Sequence, residues 1–370
     1  VESNLAGSID SIAASGSGAG TAAINGSVTV NTIEADVLTE VSGVTQSANG
    51  GAFKVSANND ADIASLAGTI SGAGTAAVGA AVSVNTIGGQ VTARVANSTL
   101  RATGAVEVDA TSSGTIKSVA AGVSGGGTAA VAGSNTTNAI TSTVLAQMDT
   151  VTQAVASASL RVQAQDSAVI QSFAGSVAGG GNAAGGAAFA LNFLGRTALD
   201  ADSSKVVKAE VLNSNLNSGG AVQVKALSTS TIESMGMAVG GSGNVAVTGS
   251  NTTNLLEDDI VASWSGGSLS GGATALTVQA DDAATVRTLA GNFSGSGAAA
   301  VGAALAVNEI GSQVSATLAS MTLGAAPAVV VDADLSGEIE SVAASGAAAD
   351  GSVGFAGNVS FTDVGGATQA

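Results

Sequence analysis

Acidic side chains occur in close pairs along this chain, and paired carboxylates at turns are a residue pattern that can bind calcium. The acids at apparent turns are Asp60 with Asp62, Asp109, Asp166, Asp281 with Asp282, and Asp332 with Asp334. Calcium takes about six to eight oxygen ligands, but the G-G-x-G-x-D nonapeptide of calcium-binding β-rolls is absent. Lys225 and Leu227 also stand where other parts of the chain have acids. We therefore expect solvated corners that limit aggregation, with Ca²⁺ binding as the alternative.

A further acidic run precedes Trp264, the only tryptophan of the chain. Glu257, Asp258 and Asp259 could bind a cation or a sugar, with the indole as a stacking face. The competing interpretation is an exposed turn followed by a tryptophan in the core. We favour it because apolar residues occupy the same phase elsewhere, namely Val41, Val95, Met148 and Leu318.

Catalytic patterns are missing from the sequence. Serine is abundant, but the chain has no His to activate a hydroxyl and no Cys to supply a thiolate. Paired carboxylates could hydrolyse glycosides only beside aromatic platforms, and the chain has 7 Phe, 1 Trp and no Tyr. The glycine run at residues 179–181 lacks the Lys-Ser or Lys-Thr of a phosphate loop. We expect no enzyme and no cofactor; a polysaccharide-acting enzyme ranks third among the hypotheses.

Asparagine is the most regular polar residue. It recurs at one fixed place in six copies of a repeat, at Asn31, Asn85, Asn138, Asn192, Asn254 and Asn308. Counting the same number of residues in the seventh copy leads to Phe361. Stacked asparagines form ladders of side-chain amides in cross-β arrays. We expect such a structural Asn column here, with ligand contact as the alternative.

Seven copies of one unit position all of these residues. Each copy has an anchor, such as IDSIA, IASLA or IKSVA, and the anchors begin at residues 9, 63, 116, 170, 232, 286 and 339. The spacing is 53 or 54 residues, except for 62 across the fourth copy, which has an insertion near residues 194–206. Copies two, four and six resemble one another, as do copies three and five, so the full period is a pair of about 107 residues. Neither end has an atypical capping sequence, so we expect residues 1–370 to be one repeat array cut from a longer protein.

The repeat predicts strands. Apolar residues alternate, as in GAVEVDA at residues 104–110, and period two with Val and Thr is typical of strands. Each unit reads as a G-A-V-x-V-x-A strand, an I-x-S-V-A strand, a reversal such as GVSGGGT at residues 122–128, and a return strand through the asparagine. We predict an all-β parallel β-solenoid, or β-helix. One coil per copy, two coils per copy and a projecting hairpin arm all remain open.

Charge and glycine content exclude several partners. Residues 63–93 carry no charge and could span a bilayer by length. The glycines within them would each cost about 1 kcal/mol in a helix, so we expect no membrane span. Disorder is disfavoured because the repeat holds its register along the chain. A net charge of −17 with only ten Lys and Arg argues against nucleic acid.

The repeat resembles a known group of proteins. The stretches ASGSGAGTAAINGSVTVNTI at residues 14–33 and SGAGTAAVGAAVSVNTI at residues 71–87 carry the resemblance, with S-x-L-x-A-x-G-A-V-x-V-x-A at residues 98–110. They are similar to repeat regions of giant bacterial surface proteins, the filamentous-haemagglutinin-like and leukotoxin-type adhesins exported by autotransporter or two-partner routes. The resemblance implies an extracellular or cell-surface β-helical stalk, with binding or export modules elsewhere in the full protein. It transfers no catalytic residue.

These observations predict a structural, non-enzymatic segment of an extracellular filament or adhesin. Its expected partners are copies of itself or neighbouring modules of the same long chain, and host or cell-surface glycans are a further candidate. The alternative hypothesis is a ligand-binding solenoid for glycan, Ca²⁺ or ice, since Thr136 with Thr137 and Thr252 with Thr253 recur on the repeat.

Overall fold

Seven long strands form one of the two main layers of the molecule. The structure, a computed structural model, describes residues 1–197, 205–324, 327–351 and 353–370. The long strands pair in parallel in the order of the repeats. They are β1 Glu2–Ala19, β4 Phe53–Ala73, β8 Ala105–Gly126, β12 Ser159–Gly180, β15 Val222–Ser242, β18 Ala275–Ser296 and β21 Ala328–Ala349.

Return strands and shorter strands form the opposite layer. The return strands are β2 Ala22–Glu34, β5 Ala76–Gly88, β9 Ala129–Ile140, β13 Ala183–Leu194, β16 Val245–Leu256, β19 Ala299–Ala319 and β22 Val353–Gln369. The strands that follow them are β3 Val37–Ser42, β6 Gln90–Ala96, β10 Thr143–Asp149, β14 Lys205–Asn217 and β17 Asp258–Ser270. In the sixth coil β19 pairs with both β16 and β17, which joins the two sets into one sheet. Two-residue strands lie beyond them: β7 Thr99–Leu100, β11 Thr152–Gln153 and β20 Thr322–Leu323.

Each repeat makes one coil of a parallel β-solenoid. Every anchor pairs with the anchor one repeat away, as Ile9 does with Ile63 and Ile116 does with Ile170. The predicted all-β solenoid is thereby confirmed. Each copy of the repeat forms one coil, not two. Like residues stack on like because the pairing is parallel and in register. Of the insertion near residues 194–206, residues 198–204 lie outside the described part of the chain.

The two strands predicted before each reversal are a single strand. In β8 the segments AVEVDA and IKSVA belong to one strand of 22 residues. The residues between them look like a turn because they are small and polar, yet they alternate between buried and half-buried. The reversal is correspondingly short: only residues 127–128 separate β8 from β9. A Cβ on Gly127 would lie 2.0 Å from the Gly74 carbonyl oxygen, so stacked turns require glycine there.

The coils stack into a slab that is broader than it is tall. Seven coils rise about 34 Å at about 4.8 Å per strand, while a straight strand of 22 residues would extend up to about 73 Å. Each coil therefore adds much width and little height. This shape exposes two extended outer faces.

The half of the slab in which the long strands begin has a core of large side chains. Val106, Val108 and Met148 are fully buried there, and Trp264 fills the same layer in another coil. The anchor isoleucines form a second core further along the long strands, against the column that contains Ile87 and Ile140. Each buried side chain of this size contributes about 1.5–3 kcal/mol relative to exposure, which makes these columns the main source of stability.

The other half is thin, and its side chains are Ala, Ser, Thr and Gly. A Cβ on Gly122 would lie 2.5 Å from the Gly133 carbonyl oxygen in the facing strand. A Cβ on Gly79 would lie 2.9 Å from the Ser124 Oγ atom. Because real Cβ atoms do not approach so closely, glycine at these places is what allows the two layers to approach.

Candidate functional site

The recurring asparagines form one continuous line through the interior. Each of the first five donates from its Nδ2 to the Oδ1 of the asparagine in the next coil, so the line runs from Asn31 to Asn308. Four of these five bonds are 2.8 Å long and the bond from Asn254 is 2.7 Å. All six residues are buried. A buried amide needs such partners, because an unmade hydrogen bond costs about 1–3 kcal/mol.

In the seventh coil the residue that continues the asparagine line is not the one that the repeat spacing predicts. Thr362, not Phe361, pairs with Asn308, while Phe361 pairs with Val307. The reason is one extra residue in the last turn: Ser296 pairs with Ala349, but Ala299 pairs with Val353. Asn308 therefore donates to Ser341 Oγ at 3.0 Å instead of to a seventh asparagine.

The anchor serines face the asparagine column, a relation that the sequence interpretation missed. Asn31 donates to Ser11 Oγ at 2.8 Å, and Asn254 donates to Ser234 Oγ at 2.8 Å. The serine is the third residue of the I-x-S anchor, so it shares the inward phase of the isoleucine. That even spacing is the signal that could have identified it. In the first and fifth coils the amide nitrogen thus donates both to the next coil and to a hydroxyl across the layer, whereas the anchor hydroxyls of Ser118 and Ser172 make no hydrogen bond within the described residues.

Four charged side chains are buried between the anchor core and the large-residue core. They are Lys205, Asp166, Asp258 and Asp282, each at most 1% exposed. Lys205 Nζ lies 2.7 Å from Asp166 Oδ2 and 3.1 Å from Asp258 Oδ2. It also donates to Ser230 Oγ at 2.8 Å. We call these four residues the buried charge cluster.

The cluster belongs to two facing columns that are neutral in other coils. On the long strands, Asp166 and Asp282 alternate with Ser112 and Ser228, and Asn59 occupies the same column in the second coil. On the opposite layer, Lys205 pairs with Asp258. The charges therefore occupy coils four to six only. Lys205 lies at the end of the insertion. Near the beginning of the insertion, Arg196 forms an ion pair with Glu257.

The charges shift one another's protonation. Burial lowers the pKa of Lys205, but Asp166 and Asp258 outweigh it, so the pKa of this ammonium lies above its usual range. Burial raises the pKa of Asp166, opposed by the charge and hydrogen bond of Lys205. Lys205 is thus firmly charged and stabilises two carboxylates at once.

Asp282 is the unbalanced member of the cluster. Neither of its carboxylate oxygens makes a hydrogen bond of good geometry within the described part of the chain, although the hydroxyls of Ser312 and Ser228 lie close enough to interact with them. Burial and the charge of Asp258 raise the pKa of Asp282 to about 6, more than Ser312, Lys205 and Ser228 lower it. One cation faces three buried acids, and Asp282 is not among the two carboxylates that Lys205 contacts directly. The cluster can take up a proton, but it is closed to solvent and offers no access to a substrate.

The remaining acidic pairs do not lie at turns. Asp60 and Asp62 are within β4, Asp281 is within β18, and Asp332 and Asp334 are within β21. These acids sit at odd distances from their anchors, which places them on the outer face of a strand. Asp166 and Asp282 lie four residues before their anchors, and this even distance places their side chains inward. Within the described ranges no group of three or more His, Cys, Asp or Glu is arranged to hold a metal ion.

Other predicted site residues have structural contacts. Asp109 accepts hydrogen bonds from Arg161 Nε at 2.9 Å and from its Nη2 at 2.8 Å. Trp264 is fully buried in the phase of Val95 and Met148, and its Nε1 donates to the Gly266 carbonyl at 3.1 Å. It offers no stacking face to a sugar. The run before it is not an exposed turn, because Asp258 begins β17 and is buried.

Comparison with protein-family models, with curated proteins and with solved structures finds no match to this chain. Among the described residues there is no helix with the length and apolar character needed to cross a bilayer.

Proposed function

We propose that this chain is a structural, non-enzymatic segment of an extracellular bacterial filament or adhesin. The observation that supports the proposal most is the in-register stacking of all seven repeats. Parallel pairing joins each long strand to its equivalent over nearly its whole length, as in the 22 paired positions of β8 and β12. Stacked coils that share every column form a stiff unit whose neighbours hold one another in place.

The interior supports a mechanical role. The asparagine line contributes one hydrogen bond between each pair of adjacent coils from the first to the sixth. These bonds add to the backbone ladders and would break only when a coil detaches. The recurring asparagines bind one another and nearby hydroxyls inside the slab, as Asn85 does with Asn138 and Ser83, so their amides are not presented to a ligand.

We also propose that the segment is extracellular or at the cell surface. The resemblance to repeat regions of giant bacterial surface proteins supports an extracellular or cell-surface location. In that setting a broad, stiff slab would space or present other modules of a long chain, or associate with copies of itself.

Single-molecule pulling tests this role. The chain would be held at its two ends in an atomic-force microscope, between reference domains of known unfolding length. A load-bearing stack should release one coil at a time, and 54 residues should lengthen the chain by about 190 Å at each event. Smooth extension without discrete steps would contradict a mechanical role. Saturable binding of a glycan or calcium at micromolar concentration in calorimetry would favour the ligand-binding alternative instead.

A further inference from the structure

The outer face of the return strands has a regular relief that the structural role does not use. Side chains at alternate positions point outward, so outward columns run across all seven coils along the stacking direction, and the columns at the third, fifth and seventh residues of the return strands form this relief. The central column contains only Gly and Ala: Gly26, Ala80, Gly133, Ala187, Gly249, Ala303 and Gly357. We call this column the groove, and the outer surface around it the ridge-and-groove face.

Larger residues border the groove on both sides. The first ridge consists of Ile24, Val78, Val131, Gly185, Val247, Val301 and Phe355. The second ridge consists of Val28, Val82, Asn135, Phe189, Asn251, Leu305 and Val359. Val131 is 50% exposed and Phe189 is 45% exposed, although both are apolar. Each ridge lies about 6.6 Å from the groove, the distance between alternate residues of a strand.

This face carries no charge, in a chain whose net charge is −17. The first ten residues of every return strand lack Asp, Glu, Lys and Arg, from residues 22–31 in the first coil to residues 353–362 in the seventh. Two copies of so acidic a chain repel each other over most approaches. The ridge-and-groove face is a surface where they can meet without opposing like charges.

The area is sufficient for a stable dimer. Ten residues by seven coils cover about 33 Å by 34 Å, or roughly 1,100 Å² on each copy. The largest apolar patch on a typical monomer covers only about 300–600 Å². A standard protein–protein interface buries about 800 Å² on each partner.

The relief is complementary to itself. A second copy related by a two-fold axis can place its second ridge in this groove and receive the first copy's second ridge in its own groove. Interdigitation of this kind gives the dry contact of packed β-sheets. The outer face of the long strands is less suited, because Met237 interrupts its corresponding column of small residues. Charged residues such as Lys117, Glu233 and Arg287 stand on the same face four residues from that column, beyond an apolar column that contains Val119, Phe173 and Leu289.

We propose that two copies of this chain pair laterally through the ridge-and-groove face, with a ridge of each copy in the groove of the other. The pairing deepens the proposed structural role by naming the surface through which neighbouring slabs associate. The occupant is a second copy, because the face combines self-complementary relief, absence of charge and sufficient area.

Analytical ultracentrifugation of the full chain and two matched variants tests the pairing. Ala187→Lys places a charge in the groove, where the adjacent Gly133 and Gly249 leave room for the side chain. Ala121→Lys makes the same change on the opposite outer face, where Gly68 and Gly175 are its neighbours. The wild-type chain should sediment as a dimer at micromolar concentration. Ala187→Lys should weaken dimerisation at least 100-fold, and Ala121→Lys should change it less than 3-fold.

Cysteine crosslinking provides a second measurement that does not depend on the lysine variant folding. The chain contains no Cys, so Ala187→Cys and Ala121→Cys each introduce a single thiol with little change in volume. A short bismaleimide should join Ala187→Cys chains into dimers and leave Ala121→Cys chains unjoined.

Several results would overturn the pairing. The first is a wild-type chain that stays monomeric up to 100 μM, and the second is equal loss of the dimer in both lysine variants. The others are preferential crosslinking at residue 121, and binding of the monomer to phosphatidylcholine vesicles in place of dimerisation. Failure of the structural role is distinguishable, because it is measured as the loss of stepwise coil release in pulling of single chains.

Discussion

Replacing Asp282 with asparagine should stabilise the protein in a manner that depends on pH. The pKa of Asp282 is raised from its ordinary value of 3.8 to about 6 by burial and by Asp258. The folded state therefore binds this proton more tightly than the unfolded chain does. The free energy of unfolding should fall as pH rises from about 4 to about 6, and then level off.

The size of the effect follows from the shift. Each pKa unit corresponds to about 1.4 kcal/mol, so the ionised carboxylate destabilises the fold by about 3 kcal/mol above pH 7. Asp282→Asn removes the charge and offers a donor to the neighbouring carboxylate. Its column already accepts neutral residues, with Asn59 in the second coil and Ser228 in the fifth. We expect a gain of about 2–3 kcal/mol at pH 8 and almost none at pH 4.

Urea unfolding followed by circular dichroism between pH 4 and pH 8 measures this difference. Asp62→Asn is the matched control, because Asp62 is exposed on the outer face of β4, and it should change stability by less than about 0.5 kcal/mol. A gain from Asp282→Asn that is equal at all pH values, or a loss at pH 8, would refute the assignment of an uncompensated buried carboxylate.

Three further substitutions test the interior. Lys205→Met leaves two buried carboxylates without their cation and should cost about 3–5 kcal/mol in urea unfolding; Lys208→Met, on the exposed side of the same strand, should cost far less. Asn138→Ala removes two inter-coil amide bonds and should lower stability by about 2–3 kcal/mol by the same assay, whereas Asn135→Ala on the outer face should have little effect. Gly122→Ala forces a Cβ against the facing strand and should lower the melting temperature, while Gly125→Ala, with open space around it, should leave the melting temperature unchanged or raise it. Equal effects within any of these pairs would contradict the packing that distinguishes them.

The repeat alone predicts most of the fold. A period that holds its register, alternation of apolar residues and a recurring asparagine together indicate stacked parallel coils. The number of coils per repeat could not be predicted, because the small polar residues within the long strands resemble a turn. Those residues are in fact the inward serines of the polar columns, such as Ser112.

Burial of the charges could be predicted only in part. Asp166 and Asp282 lie four residues before an anchor, and this even spacing indicates an inward side chain, whereas Asp62 and Asp281 lie at odd spacings. Lys205 gives no such signal, because it follows the insertion, where alignment with the other copies is lost. Charged residues are ordinarily expected in solvent, and the burial of Lys205 is explained by its contacts with Asp166 across the coil and with Asp258 on the neighbouring strand.

The asparagine line also has a direction. Every one of its five bonds donates from the coil of lower number to the coil of higher number. The side-chain amide dipoles therefore add along the stack, and aligned hydrogen bonds polarise one another. The first and sixth coils are consequently inequivalent: among the described residues no asparagine donates to Asn31, whereas Asn308 both accepts from Asn254 and donates to Ser341. The slab has an electrical polarity along its stacking axis, so its two ends are distinct surfaces for whatever stacks upon them.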